Sequence, residues 1–145
     1  MDESLLLYSL REHRALILDV LAAVAAGRVV EIGSEAGGFT REMAAWAEEN
    51  GARFVAVEPF PAEEIRELAE GSSAFELVEA RSPDALAGIE PADAYLVDGD
   101  HNHWTVSGEL QAIYSDGREP VAIKTLSPVS LLPPTSTVCG STNWT

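Results

Sequence analysis

Residues 29–40 read V-V-E-I-G-S-E-A-G-G-F-T: an apolar run holding one carboxylate, a glycine-rich turn, and the start of a helical pattern. A short apolar strand that ends in glycine and passes straight into a helix is the opening unit of an open α/β sheet. Gly33, Gly37 and Gly38 let backbone approach a ligand where side chains would collide, and the following helix begins with unsatisfied N–H groups. The first functional expectation is therefore a nucleotide-type ligand at this turn.

Working outward, residues 5–26 carry Leu6, Leu10, Leu16, Ile17, Val20, Leu21 and Val24 at close to a 3.6-residue period. This predicts an N-terminal helix, broken near His13 and stopped by Gly27, ahead of a strand at 28–32. Helix is expected at 40–50, with Met43, Trp46 and Ala47 on one face and Asn50-Gly51 as a left-handed cap. Strand 54–57, helix 62–70, strand 75–78, a short helix at 82–87, strand 94–97, helix 105–114 and strand 121–123 complete the alternation. Short apolar strands alternating with helices predict a doubly wound α/β domain of about five parallel strands, with ligands bound along the strand C-terminal edge.

The 145 residues suffice for one domain with a hydrophobic core. With 24 acidic and 9 basic residues the net charge is −15, which argues against nucleic acid and anionic membranes as partners. No apolar run reaches the ~20 residues a bilayer span needs, and Asp2 and Glu3 stand where a signal peptide would be basic. A soluble, cytoplasmic protein is expected. Cys139 is alone, so neither an internal disulfide nor a cysteine-based zinc site is available.

Three acids fall at or just past strand ends: Glu31, Glu58 and Asp98. A carboxylate after the second strand is placed to accept hydrogen bonds from ribose hydroxyls, and Glu58 follows Gly33 by about the interval that dinucleotide-binding folds use. The turn itself is G-S-E-A-G-G, however, not G-x-G-x-x-G, and Glu35 would sit badly beside a pyrophosphate. Glu31, two residues before the first glycine, suits a cationic ligand such as the amino acid portion of S-adenosylmethionine.

On these pieces the chain resembles the class I S-adenosylmethionine-dependent methyltransferases, whose fold is Rossmann-like. The resemblance rests on V-V-E-I-G-S-E-A-G-G around Glu31 and Gly33, V-A-V-E-P ending in Glu58, and A-Y-L-V-D-G-D-H around Asp98, and spans residues 29–114. The continuation N-H-W-T-V-S-G-E-L is most similar to bacterial small-molecule O-methyltransferases of the macrocin O-methyltransferase type. The resemblance implies that Glu31, Gly33, Ser34 and Asp98 contact the cofactor, that Gly37 shapes the turn, and that Glu58 holds the ribose. Arg81 and Ser82 would line the adenine pocket. The usual middle glycine of E/D-x-G-x-G-x-G is here Glu35, a departure from the family pattern.

In D-G-D-H-N-H, Asp98 and Asp100 are hard oxygen ligands, and in metal-dependent relatives an acid at this strand end helps to bind Mg2+. His101 or His103 could act as general base toward an acceptor hydroxyl, with Asp98 among the catalytic groups. Against these readings, Asp100 and Asn102 are equally suited to capping a helix near His103, Trp104 to core packing, and the acids of residues 63–70 to a solvated face.

The family's complete domain has seven strands, and metal-dependent members take further ligands after the fifth. Here Lys124 and Thr125 follow the fifth strand, and residues 120–145 contain no acid and a Ser/Thr/Pro-rich run. The expectation is a methyltransferase domain over residues 1–125, lacking its C-terminal strands through truncation or a change of reading frame, with an irregular tail over 126–145. Weak or no catalysis would follow. The acceptor would be a sugar or specialised metabolite, and an oligomer is compatible with the chain. A non-catalytic cofactor-binding module and an NAD(P)-dependent oxidoreductase are the alternatives.

Overall fold

Five parallel strands in the order β3-β2-β1-β4-β5 form the centre of the computed structural model, which describes residues 10–34, 36–100, 102–115 and 117–124. The strands are β1 (Arg28–Ile32), β2 (Arg53–Val57), β3 (Phe75–Val78), β4 (Ala94–Val97) and β5 (Val121–Lys124). Around them stand helices α1 (Arg14–Ala23), α2 (Gly38–Asn50), α3 (Glu63–Gly71) and α4 (His103–Ile113), with 3-10 turns at Leu10–His13 and Asp84–Gly88. The expected N-terminal break is real, since the 3-10 turn gives way to α1 at Arg14; the residues expected to begin that helix lie outside the described ones.

β1 pairs with β2 from Arg28↔Arg53 to Ile32↔Val57, and with β4 from Val29↔Ala94 to Ile32↔Val97. The chain builds outward from β1 to β2 and β3, then crosses back to place β4 on the other side of β1. That reversal makes β1 and β4 the switch point, where a crevice opens beyond the strand ends.

Side chains leave a strand alternately to its two faces, and the core divides accordingly. Val29, Phe54, Ala56, Ala94 and Leu96 pack with Leu10, Ile17, Leu21, Phe39, Met43, Ala47 and Ile65 of the N-terminal segment, α2 and α3. Val30, Ile32, Val55, Val57, Tyr95 and Val97 pack with Ile113 of α4 and with Ala85, Leu86 and Ile89 of the crossover after β3. Burial on both faces explains why the central strands read as continuous apolar runs rather than as alternating ones.

Helix boundaries differ slightly from expectation, for local reasons. α2 begins at Gly38 because Gly37, at φ 79°, turns the chain into the helix without a side-chain cap. Its end is as expected: Gly51 is left-handed at φ 63° and its N–H returns to the Ala47 carbonyl. The predicted helix at 82–87 is a 3-10 turn two residues later, too short to settle into α geometry. In α3 only Ile65 is buried, and Arg66 reaches both Glu63 and Glu79, so its acids do form a solvated face. No helix among the described residues is long and apolar enough to cross a membrane. The tail expected to be irregular lies outside the described residues.

Candidate functional site

Strand parity brings the three acids together. Glu31 shares a face with Val29, Glu58 continues the face of Phe54 and Ala56, and Asp98 continues that of Ala94 and Leu96. All three stand on the α2 side of the sheet, at or past the C-terminal edge of adjacent strands. The ladder runs on to hold them there: Glu58 N–H donates to the Val78 carbonyl at 3.1 Å and Asp98 N–H to the Ile32 carbonyl at 2.9 Å.

Each acid is held by specific donors. Glu31 is 2% exposed and its Oε2 accepts from Thr40 Oγ1 of α2 at 2.5 Å. Asp98 is buried and its Oδ2 accepts from the Leu10 N–H at 3.4 Å, so the N-terminal segment lies across this end of the site. Arg11 and Arg14 fasten the same segment to Glu42 of α2 at 3.0 and 2.8 Å. Glu58 Oε2 accepts from the Ser34 N–H at 3.1 Å and Oε1 from the Phe60 N–H at 2.9 Å. A carboxylate has about four acceptor positions, so these two backbone bonds orient Glu58 while leaving lone pairs for hydroxyls.

The glycines have a reason of their own. A Cβ on Gly33 (φ 87°) would stand 2.5 Å from Gly99 Cα, and one on Gly37 (φ 79°) would stand 2.3 Å from Ile65 Cδ1. The space they leave is filled by the neighbouring strand end and by α3. Close approach is required here, but of the protein to itself.

Ser34 sits beside them, 5% exposed, and its Oγ has no hydrogen-bond partner among the described residues. A buried hydroxyl without a partner costs about 1–3 kcal/mol, so such a group at a strand end is chemically poised for a ligand. Arg81, after β3, places its guanidinium 5.8 Å from the ring centre of Phe60, which is 76% exposed. Ser82 instead turns its hydroxyl inward to Glu109 of α4.

The D-G-D-H-N-H segment is largely structural. Asn102 is the N-cap of α4, its Oδ1 accepting from the Trp104 N–H at 2.9 Å. Asp100 accepts from the Asn102 N–H at 2.9 Å and from Thr105 Oγ1 at 3.1 Å. The capping role weighed for these residues is thus observed. No group of three or more His, Cys, Asp or Glu side chains that could hold a metal ion occurs among the described residues. His103 opens α4, exposed and edge-on to Trp104 with ring centres 5.8 Å apart. Trp104 is 82% exposed, which corrects its assignment to the core. Glu35 and His101 lie outside the described residues.

Thr40, Phe60 and Glu109 were not singled out from sequence. Thr40 lies nine residues after Glu31, and a hydroxyl in the first turn of the helix that follows a strand-end acid is the signal that could have found it. Phe60 follows Glu58 by two residues and stands exposed beside the Arg81 guanidinium.

Three carboxylates and a hydroxyl without a partner among the described residues thus gather at the switch point of a doubly wound, Rossmann-like parallel sheet. Comparison with known families narrows this: the methyltransferase domain family matches residues 30–119, an interval holding Glu31, Glu58, Asp98 and the whole glycine turn, and the chain belongs to that family. No curated protein matches the chain.

Proposed function

We propose that the chain binds S-adenosylmethionine and transfers its methyl group to a hydroxyl of a small molecule, a sugar or specialised metabolite. The observation that carries this reading is the pairing of Ser34 with Glu58: a buried hydroxyl with no partner among the described residues, beside a carboxylate oriented by two backbone N–H groups. Donor and acceptor side by side match the hydroxyls of a ribose.

The remaining residues fit the same ligand. Glu31 and Asp98 concentrate negative charge at the adjoining strand ends, which favours a cationic amino acid portion over a pyrophosphate. Phe60 and the Arg81 guanidinium offer flat surfaces to a base. Bound S-adenosylmethionine supplies a methyl group on a positively charged sulfur, and transfer requires mainly the in-line approach of a nucleophile. His103, exposed at the start of α4, is the described group suited to take the acceptor proton. A magnesium ion on Asp98 and Asp100 is not needed for this reading, since Asp100 serves the α4 cap.

Calorimetric titration of the 145-residue protein with S-adenosylmethionine, S-adenosylhomocysteine and NAD tests the proposal. Both sulfur nucleotides should bind and NAD should not, and Glu58→Ala should weaken binding by roughly tenfold or more, as expected for lost hydrogen bonds to a charged acceptor. Binding of NAD alone, or of none of the three, would overturn it.

A further inference from the structure

β3 and β4 are separated in the sheet by β2 and β1, yet the segments that leave their C-terminal ends meet. Ser82, four residues past β3, donates its hydroxyl hydrogen to Oε1 of Glu109 in α4. The α4 backbone also packs against the Pro83 ring at the same place: a Cβ on Gly108 would stand 3.1 Å from Pro83 Cγ. Glu109 is wholly buried, and its second oxygen, Oε2, has no hydrogen-bond partner among the described residues. Lys124 at the end of β5 and Asp100 after β4 are the charged groups that act on it.

A buried carboxyl is costly where an apolar side chain of similar size would pack without penalty. The side-chain hydrogen bond that Glu109 makes among the described residues runs to the segment that carries Arg81. We infer that Glu109 is a positioning residue for the nucleoside end of the cofactor site: it holds Ser82, and through the adjoining peptide it sets where Arg81 lies against Phe60, two residues beyond Glu58. This rests on the cofactor reading above and changes the part played by Ser82. Because its hydrogen is given to Glu109, Ser82 acts by fixing the loop rather than by donating to the ligand. A helix that follows β4 thereby controls affinity at the end of the site that follows β3.

Calorimetry with S-adenosylhomocysteine and with adenosine, on wild type, Ser82→Ala, Glu109→Ala and Glu109→Gln, distinguishes this role from general support of the fold. Ser82→Ala should weaken both ligands by the same factor, roughly three- to tenfold for one hydrogen bond, because the effect lies at the nucleoside they share. Glu109→Gln keeps an acceptor oxygen and should retain wild-type affinity. Glu109→Ala should match Ser82→Ala, and the double variant should be no weaker than either, as for residues acting through one contact. Unchanged affinity in Ser82→Ala, or a loss seen with S-adenosylhomocysteine but not adenosine, would overturn the inference while leaving the cofactor reading intact. Should Glu109→Ala fail to fold, Ser82→Ala and Glu109→Gln still decide the question. Failure of the wild type to bind either ligand would overturn both.

Discussion

Gly33 and Gly51 are both left-handed, at φ 87° and φ 63°, yet their surroundings are opposite. Around Gly51 nothing lies within 4 Å of an added Cβ, whereas at Gly33 the Cβ would meet the backbone of Gly99 at 2.5 Å, and backbone cannot turn aside as a side chain can. Gly51→Ala should therefore cost about 1 kcal/mol, the price of the left-handed conformation alone. Gly33→Ala should cost about 3 kcal/mol or more, since strain and overpacking add at a site where two strand ends touch. Urea unfolding of the two variants checks this, and equal midpoints would remove the packing account of Gly33. The same residues show what was readable in advance. Glu31, Glu58 and Asp98 were legible because a strand's two-residue period fixes which face an acid takes and the strand's end fixes its depth. The need for glycine was legible too, but not what would fill the space it leaves. The Ser82 to Glu109 bond spans 27 residues and joins two different crossovers, a distance at which no local period carries information.

Among the elements, α4 joins most parts of the molecule: its N-cap closes the loop after β4, Ile113 enters the second face of the core, and Glu109 holds the crossover after β3. Burial pushes the Glu109 carboxyl above the ordinary glutamate range, and the Ser82 hydrogen bond and the charge of Lys124 oppose the shift only in part. The folded state thus holds this proton more tightly than the unfolded chain. The associated stability is complete below the ordinary glutamate pKa and is lost as pH rises through the raised one. Glutamine does not titrate, so the melting temperature of Glu109→Gln minus that of wild type should grow more positive with pH across that window and stay flat below it. A difference independent of pH would show that the carboxyl does not ionise differently on folding. The element boundaries themselves were largely legible, because each strand is a short, mostly apolar run between turn residues. The crossover at Asp84–Gly88 was the exception: five residues are too few to reveal whether a turn closes after three residues or four.

For the molecule as a whole, a net charge of −15 means that compaction gathers like charges. Monovalent salt should therefore raise the thermal midpoint between about 10 mM and about 300 mM, where the screening length falls below typical surface spacings. A falling midpoint would mean that exposed pairs such as Arg66 with Glu79 outweigh the general repulsion. The parallel sheet could be foreseen from the alternation of strands and helices, whereas the order β3-β2-β1-β4-β5, with its single reversal, is known from the structure. That reversal also bears on how the chain acquires its shape. β1 meets β2 across one helix, but meets β4 only after the chain has passed β2 and β3, more than twice as far along the sequence. Closing the longer loop costs roughly 1 kcal/mol more in chain entropy, so β1 to β3 can assemble as a local unit while β4 arrives late. Glu58 and Ser34 belong to the local unit and Asp98 to the strand that joins it, so the three carboxylates stand side by side only once β4 has docked.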